Sequence, residues 1–266
     1  MQKRHRNRSM YFHELAETST KYFIPYITQF KQLSNECRIL EIGCGDGGNL
    51  FPFAKIGCYT LGIDIAEERI SDAQRFFKDY KVKGDFIATD IFLLKNYTTR
   101  FDIIICHDVI EHISNKQRLM SLLGEFLSND GIIFISFPPW QMPFGGHQQI
   151  CQNKILSHLP FVHLLPKLLY RLLLKLFGEN DGCIKELLSI KETKTTIELF
   201  ERVLKSIRKF NIVDRTLWLV NPHYEQKFHL NPRCQWTLLS YIPLLRNVYT
   251  TSVWYLLNHK LTSKQK

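Results

Sequence analysis

The chain has 266 residues, of which 45% are hydrophobic and 23% are charged. These proportions are ordinary for a protein that buries a core, so a mainly disordered chain is excluded. At about 150 residues per domain, the length allows one large domain, or one domain and about half of a second. The 35 lysines and arginines exceed the 25 acidic residues by 10, which favours anionic partners such as phosphorylated metabolites, nucleic acid or an acidic membrane surface.

Short apolar runs alternate with helical patterns in the first half of the chain. Strands are predicted at 38–42, 58–63, 86–89, 101–106 and 132–137, and helices at 49–56, 67–80 and after residue 114. Gly57 is expected to end the first helix, Ser114 and Gln117 have the spacing of a capping box, and residues 129–131 predict a turn. The alternation predicts an α/β fold with a parallel sheet covered by helices on both faces.

The pattern changes after residue 139 and returns near residue 195. An aromatic loop and a leucine-rich helix come first, then a helix at 196–210 and strands at 212–220 and 248–257. We therefore divide the chain into an N-terminal helical segment (1–35), an α/β core that binds a cofactor (36–139), an inserted helical cap that acts as a substrate lid (140–194), and a part that completes the sheet (195–266). The insertion is expected over the carboxyl edge of the sheet, where such folds bind ligands.

Targeting segments and disulfides are not expected. No apolar run reaches the roughly 18 residues of a membrane span, and the basic N-terminus leads into YFHE rather than an apolar stretch. The seven cysteines are odd in number and none has C-x-x-C spacing, which favours buried thiols in a reducing compartment over a disulfide framework or a zinc site. We expect a cytoplasmic protein.

A glycine-rich turn follows the first predicted strand. Residues 40–48 read LEIGCGDGG, in which Gly43, Gly45 and Gly48 satisfy G-x-G-x-x-G. Positions without a side chain let backbone N–H groups approach a ligand at the start of a helix. Dinucleotide enzymes and nucleoside-binding transferases share this motif, so it does not separate the two classes.

Two carboxylates make the turn more specific. Asp64 ends the second predicted strand, where a carboxylate can accept hydrogen bonds from both hydroxyls of a ribose. Glu41 precedes the first glycine by two residues. Its charge would repel a pyrophosphate and suits a cationic ligand.

Five motifs in order identify a family resemblance. They are EIGCG at 41–45, GID at 62–64, DI at 90–91, DVIEH at 108–112, and Gly131 with the strand after it. With these motifs the chain resembles the class I S-adenosylmethionine-dependent methyltransferases over residues 36–137. The resemblance implies a doubly wound, Rossmann-like sheet of seven strands whose last strand is antiparallel, with 212–220 and 248–257 as the final pair.

The resemblance also implies a cofactor site for S-adenosyl-L-methionine. The glycine turn would hold the methionine part of the cofactor. The ends of the second and third strands would hold its ribose and adenine, and the end of the fourth strand would lie beside its methyl group. The implied positions are Glu41, Gly43, Cys44, Gly45, Asp64, Ile65, Asp90, Ile91, His107 and Val109. For Asp90 the alternative is a helix N-cap.

Histidines are the candidates for chemistry on the acceptor. An oxygen nucleophile usually needs a general base, and histidine suits neutral pH. His147 lies in the glycine-bearing loop FGGHQQ at 144–149, which suits a lid that grips substrate, and NPHYE at 221–225 could close the same pocket. His112 belongs to the DVIEH motif, where an architectural role is the alternative. No residue is assigned to a metal.

The leucine-rich stretch at 163–177 has two interpretations. His163, Lys167, Arg171 and Lys175 recur every fourth residue. This pattern is typical of a helix at a membrane surface that meets lipid-linked substrates, or of a lid or dimer helix that buries its leucines behind a basic stripe. We favour the second, and keep open a protein peripheral to the inner face of the membrane.

The sequence therefore predicts an enzyme that O-methylates a small molecule, a sugar or glycan precursor, or a lipid-linked metabolite, with an anionic acceptor suggested by the net charge. The aromatic and basic signature of an RNA-binding protein is missing, so no nucleic-acid partner is expected. The alternatives are an NAD(P)-dependent oxidoreductase and a non-catalytic subunit that binds the cofactor.

Overall fold

The computed structural model describes residues 7–94 and 98–260 and contains one sheet of eight strands. The strands are β1 Arg38–Ile42, β2 Tyr59–Asp64, β3 Asp85–Ala88, β4 Phe101–His107, β5 Leu127–Phe137, β6 Phe210–Val220, β7 Arg233–Cys234 and β8 Ser252–His259. Their order is β3-β2-β1-β4-β5-β8-β6-β7. The first five are parallel, and β8 is antiparallel to both β5 and β6. The doubly wound architecture and the antiparallel final strand are as predicted.

The predicted count of seven strands is wrong. The additional strand is the two-residue β7, which pairs with β6 at the edge of the sheet. Gln235, the residue after β7, stabilises the position of this strand. Its backbone N–H donates to the Leu217 carbonyl, and its side chain donates to the Arg246 carbonyl. A two-residue strand has no alternating apolar pattern, so the sequence does not reveal it. Strand β5 also runs through 129–131, where the sequence predicts a turn.

Twelve α-helices lie in the described part of the chain. They are α1 Arg8–Thr18, α2 Ile24–Thr28, α3 Phe51–Ile56, α4 Glu67–Asp79, α5 Lys116–Phe126, α6 Lys154–His158, α7 Lys167–Leu176, α8 Asp181–Thr193, α9 Ile197–Ile207, α10 His223–Phe228, α11 Thr237–Ser240 and α12 Leu245–Val248. None of the described helices has the length and apolar character needed to cross a membrane.

Helix ends match the sequence pattern in one case and differ in another. Gly57 ends α3 with φ +103°, as predicted. The capping box at Ser114 does not form, because Asn115 is the N-cap of α5 and its side chain accepts the N–H of Arg118. The Gln117 side chain instead donates to a hydroxyl on α9. Asparagine and serine cap helices about equally well, so the sequence left the choice open.

The sheet separates two apolar layers. Leu123 of α5 and Phe200 of α9 belong to the layer on one face, and Phe12 of α1 and Phe77 of α4 belong to the layer on the other. Helices on both faces bury the central strands completely, which explains why Ile103–Ile105 are all apolar. This packing leaves the carboxyl ends of the parallel strands as the edge where loops meet.

Residues 140–194 form a helical insertion with an apolar cluster of its own. The cluster joins the loop before α6 to α7 and α8 and consists of Cys151, Leu156, Val162, Tyr170, Leu174, Ile184 and Leu187. His163 is buried in a 3-10 turn, where its ring hydrogen-bonds the Trp140 carbonyl at 2.8 Å. It is therefore not part of the basic stripe that the sequence predicts on this helix.

The cysteines are mostly small core residues. Five of the seven are buried and none forms a disulfide. Cys183 is half-buried and Cys234 is exposed on β7, so the expectation of buried thiols fails at these two positions.

We expect Ile104→Ala to destabilise the protein by about 2–5 kcal/mol, because the change opens a cavity in the centre of the sheet. Ile104 is fully buried and lies between Leu40 of β1 and Ile133 of β5. Urea unfolding measures the loss. Ile212→Ala on β6 is the control, since Ile212 is 45% exposed, and equal losses in the two variants would contradict the assignment of the core.

Candidate active site

The turn after β1 is held against the end of β2. The N–H groups of Gly43 and Cys44 both donate to the Ile63 carbonyl, at 2.7 and 3.1 Å. Gly43 and Gly45 have φ of +67° and +52°, the left-handed region that glycine enters without a steric penalty. The turn therefore follows a path that requires glycine at both positions.

The same turn touches the segment that follows β4. A Cβ atom on Gly43 would lie 2.3 Å from Cγ2 of Val109, and one on Gly45 would lie 2.8 Å from the Arg69 guanidinium. The Cys44 side chain is buried and points toward Gly62 of β2. Three of the predicted cofactor positions thus form a tight backbone cradle between β1, β2 and β4.

Asp64 ties this cradle to the next loop. One carboxylate oxygen accepts the Gly45 N–H and the other accepts the Ala66 N–H, both at 2.9 Å. Each oxygen keeps further acceptor capacity. Ile65, next in the chain, is 77% exposed. A carboxylate and an exposed apolar side chain therefore stand side by side at the carboxyl edge.

Glu41 is fully buried beneath the turn. One of its oxygens accepts a hydrogen bond from the Asn49 side chain at 2.7 Å, and the other has no hydrogen-bond partner in the described chain. Burial raises the pKa of Glu41 to about 8. A nearby cation would favour the ionised form. The sequence analysis did not identify Asn49 as a site residue. The only signal for it is its position directly after the glycine turn.

The two predicted positions after β3 have structural roles. One oxygen of Asp90 accepts the Phe92 N–H at 2.9 Å and so caps the 3-10 helix Ile91–Leu93. The N-cap alternative for Asp90 is therefore confirmed, although its carboxylate remains at the strand end. Ile91 is buried in the core.

The end of β4 carries two polar side chains, His107 and Asp108. His107 hydrogen-bonds Ser136 of β5 through Nδ1, and its ring lies against Phe23. Asp108 follows with φ +53° and an exposed side chain. This left-handed residue turns the chain sharply, so that the DVIEH segment bends away from the sheet.

Glu111, His112 and His147 meet at this point. Nε2 of His147 lies 3.8 Å and Nε2 of His112 lies 3.9 Å from the same Glu111 oxygen. The two imidazole rings are 5.1 Å apart and nearly perpendicular. Burial raises the pKa of Glu111 well above its usual value and lowers the pKa values of both histidines. The structure thus brings together the two predicted catalytic histidines and adds a buried glutamate from the same motif.

Two further helices lie at the site. Both fall in segments that the sequence analysis names, but it connects only the second with the substrate pocket. In α1, Arg8 forms an ion pair with Asp46 of the glycine turn at 2.9 Å, which places that helix over the turn. In α10, burial and then the charge of Asp108 raise the pKa of Tyr224 to about 12. The sequence predicts a helical segment at 1–35 without placing it over the glycine turn, whereas NPHYE at 221–225 is predicted to close the pocket.

A cavity of about 320 Å³ lies between the insertion and α10. Its lining comes from the loop that carries His147, from α6 and from α10 with the segment after it. The lining residues are Met142, Pro143, Phe144, Gln149, Ser157, His158, Tyr224, Lys227, Phe228, Leu230 and Thr251. Most of the lining surface is apolar or aromatic, so the cavity suits an apolar ligand.

A methyltransferase domain family matches residues 33–178, more than half of the chain. Together with the glycine cradle and Asp64, this match shows that the chain belongs to the class I S-adenosylmethionine-dependent methyltransferases, as the five motifs predict. Nothing in the match supports the NAD(P)-dependent alternative.

Curated relatives match less than half of the chain. A ubiquinone biosynthesis O-methyltransferase of Rickettsia canadensis (strain McKiel) is 32% identical over 116 residues, which are 44% of this chain and 49% of the relative. An uncharacterised protein of Rickettsia prowazekii (strain Madrid E) is 34% identical over 113 residues, 40% of this chain and 45% of that protein. The chain thus matches about half the length of these relatives.

Solved structures share the fold over nearly the whole chain. The plantazolicin methyltransferase BpumL, crystallised with a pentazolic desmethylPZN analog and SAH, aligns with a TM-score of 0.57 at 18% identity and covers 97% of this chain and 89% of its own. The magnesium protoporphyrin IX methyltransferase from Synechocystis PCC 6803, with bound SAH, gives a TM-score of 0.55 at 15% identity, over 93% of this chain and 84% of its own.

We expect Gly43→Ala to weaken the binding of S-adenosylhomocysteine at least tenfold, because the new methyl group would collide with Val109 in a backbone that disfavours side chains. Titration calorimetry measures the affinity. Gly178→Ala is a matched control, since Gly178 has φ +77° but a Cβ atom added there would meet nothing within 4 Å. Equal affinities in the two variants would show that the cradle does not hold the cofactor.

Proposed function

We propose that this protein transfers the methyl group of S-adenosylmethionine to an oxygen atom of a small, apolar or lipid-linked acceptor. The observation that carries the proposal is the juxtaposition of two features at one sheet edge. The cradle that Gly45 and Asp64 close lies at β1 and β2, and the cluster of Glu111, His112 and His147 follows β4, the strand that pairs with β1.

The residues of the cradle fit the cofactor. The turn of Gly43, Cys44 and Gly45 is assigned to its methionine part, because the two glycines have no side chain and the Cys44 side chain points toward Gly62. The oxygen of Glu41 without a hydrogen-bond partner suits its cationic groups. We assign Asp64 to the ribose and the exposed Ile65 to the adenine. In the same assignment Asp90 and Ile91 lie at the far end of the adenine, and His107 and Val109 lie at the methyl end.

When bound, the cofactor supplies an activated methyl group that an oxygen lone pair displaces in line. The chain then has to align the acceptor oxygen with that methyl group and accept the hydroxyl proton, and alignment alone can be worth about 7–11 kcal/mol. His147 and His112 are the groups assigned to the acceptor hydroxyl. Burial lowers the pKa of both, so both are neutral at neutral pH. Each has a nitrogen lone pair that can orient the hydroxyl, but both are weaker proton acceptors than a free imidazole.

The cavity lined by residues on both sides of His147 in the chain supports an apolar acceptor. Most of its lining surface is apolar, although polar side chains such as Gln149 and Lys227 contribute to it, and the hydroxyl groups of a buried sugar would each need a hydrogen-bond partner. Relatives named as ubiquinone biosynthesis O-methyltransferases point to the same class of acceptor. Residues 140–194 act as the lid, since they provide one wall of the cavity and carry His147.

Incubation with methyl-labelled S-adenosylmethionine and cell extract tests the reaction. We expect label in a product that partitions into the organic phase, and we expect Asp64→Ala to abolish its formation because the ribose ligand is lost. Asp130→Ala is the control, as its side chain is 80% exposed and pairs with Lys31. Label in an aqueous product would contradict the apolar acceptor, and cofactor binding without any labelled product would favour the non-catalytic subunit.

We propose further that α7 lies at an anionic membrane surface. Leu168, Leu172 and Leu176 are each more than half exposed, which contradicts the expectation that this helix buries its leucines. Arg171 and Lys175 are exposed on the same short helix. Leucines that dip into lipid beside lysines and arginines that meet anionic headgroups are typical of interfacial helices.

The surface around the cavity supports this placement. The cavity wall includes His158 at the end of α6 and Phe228 at the end of α10. Exposed apolar side chains lie close in sequence to the ends of α6 and α10. They include Ile155, Leu159, Phe161, Leu230, Trp236 and Leu238. A monomeric protein rarely leaves so much apolar surface in water. A membrane on this side would deliver an apolar acceptor close to the cavity.

We expect Leu172→Glu to reduce co-sedimentation with phosphatidylglycerol-containing vesicles at least fivefold, because a carboxylate cannot enter the lipid and repels the headgroups. Ile56→Glu on α3 is the matched control, since Ile56 is 46% exposed and the charge change is the same. Equal binding of the two variants, or no binding by the unmodified protein, would overturn the placement of α7 on the membrane.

A further inference from the structure

The carboxylate of Glu111 is buried without the partners that such a group requires. Glu111 is 3% exposed, and neither of its oxygens has a hydrogen-bond partner in the described chain. A buried carboxylate without a hydrogen bond or a counter-charge is strongly disfavoured. Lys116 does not supply the charge directly, because its ammonium donates to the Ile113 carbonyl at 2.7 Å. Both oxygens of Glu111 are therefore available to a cation.

We propose that Glu111, His112 and His147 bind one divalent transition-metal ion, such as Zn²⁺, Mn²⁺, Fe²⁺ or Co²⁺. The ligand atoms of the three side chains all lie within 4.8 Å of one another. Two imidazoles and one carboxylate form a known ligand set for such ions and leave coordination positions open. Nitrogen donors favour these ions over Mg²⁺ and Ca²⁺, which prefer oxygen ligands.

The separations fit an ion that is shared by the three side chains. Metal–ligand bonds of about 2.0–2.2 Å place pairs of ligand atoms roughly 3–4 Å apart. Each histidine nitrogen lies 3.8–3.9 Å from the Glu111 oxygen, which is within this range. The side chains of His112 and His147 are 40% and 24% exposed. This exposure provides an entry path and room for a further ligand.

The proposed ion would join two parts of the protein. Glu111 and His112 belong to the segment after β4, whereas His147 comes from the insertion, where its φ of +59° turns the loop inward. The Thr193 hydroxyl at the end of α8 donates to the Glu111 carbonyl, so a second contact already ties the insertion to this segment. A metal would fix His147 relative to the core without requiring a new backbone arrangement.

The role of the ion rests on the proposed methyl transfer. The acceptor hydroxyl would occupy an open position, where the ion lowers the pKa of the bound oxygen. Its O–H bond breaks with release of the proton to solvent, and the oxygen keeps the electron pair that forms the bond to the methyl carbon. The bond between that carbon and the sulfonium sulfur breaks at the same time, and the sulfur keeps its electron pair and leaves as the neutral thioether of S-adenosylhomocysteine. In this arrangement His112 and His147 act as ligands rather than as proton acceptors.

A second cluster provides the internal control. Cys151, Cys183 and Glu179 also lie close together, within the insertion. Both oxygens of Glu179 accept backbone N–H groups, from Gln152 and Asn153 at 3.0 and 2.9 Å. The hydrogen-bonding capacity of the Glu179 carboxylate is thus already used within the insertion. Its thiols could still bind a transition metal in solution, so the test must separate the two sites.

Titration of the whole chain with Co²⁺, followed by calorimetry and visible absorption, tests the site without any acceptor. We expect one ion per chain with weak d–d bands typical of nitrogen and oxygen ligands, and at least tenfold weaker binding in Glu111→Gln and in His147→Ala. Cys183→Ser should bind as the unmodified protein does. Glu111→Gln keeps the shape of the side chain, and thermal unfolding checks that each variant is folded.

Two results would overturn the metal site. One is no Co²⁺ binding by the unmodified protein, and the other is binding that Cys183→Ser abolishes and Glu111→Gln leaves intact. The proposed methyl transfer is tested separately, because S-adenosylhomocysteine binding and labelled product are measured without added metal as well. Product without metal binding removes only the metal site, whereas metal binding without any product removes only the proposed reaction.

Discussion

The backbone of the glycine turn and the carboxylate of Asp64 form the contact on which the rest of the site depends. Asp64 accepts the Gly45 N–H on one side and the Ala66 N–H on the other, so one side chain sets the separation of two loops. Because Gly43 also packs directly on Val109, the turn fixes the segment after β4 as well. The loops that follow β1, β2 and β4 are therefore held in fixed positions relative to one another at one edge of the sheet.

This arrangement explains where polar groups can be buried. Parallel strands covered on both faces leave only their carboxyl ends for polar side chains, and Glu41 and Glu111 both lie near that edge with an oxygen that lacks a hydrogen bond. In a core such groups would be destabilising. Near a sulfonium, an ammonium or a metal ion they become binding groups. The cost of their burial is thus a sign of ligands that the folded protein alone does not supply.

The insertion, residues 140–194, combines three structural features. Its apolar cluster makes it a compact unit, its loop brings His147 to Glu111, and α7 leaves leucines in contact with solvent. A wall of the apolar cavity comes from the same residues. The position of this insertion would then decide whether α7 lies on a membrane, whether the acceptor can enter, and whether His147 completes the polar cluster.

The sequence by itself determined the cofactor half of this protein, because close backbone approach requires glycine and buried parallel strands require apolar runs. Residues 41–45, Asp64 and the strands from β1 to β5 follow from those local rules. Only the tertiary structure decided the rest. The distance between Glu111 and His147, the burial of His163 and the exposure of Leu172 depend on how the insertion packs, and periodicity cannot tell which face of a leucine-rich helix is covered. The same holds for β7, whose two residues are a strand only because β6 lies beside them.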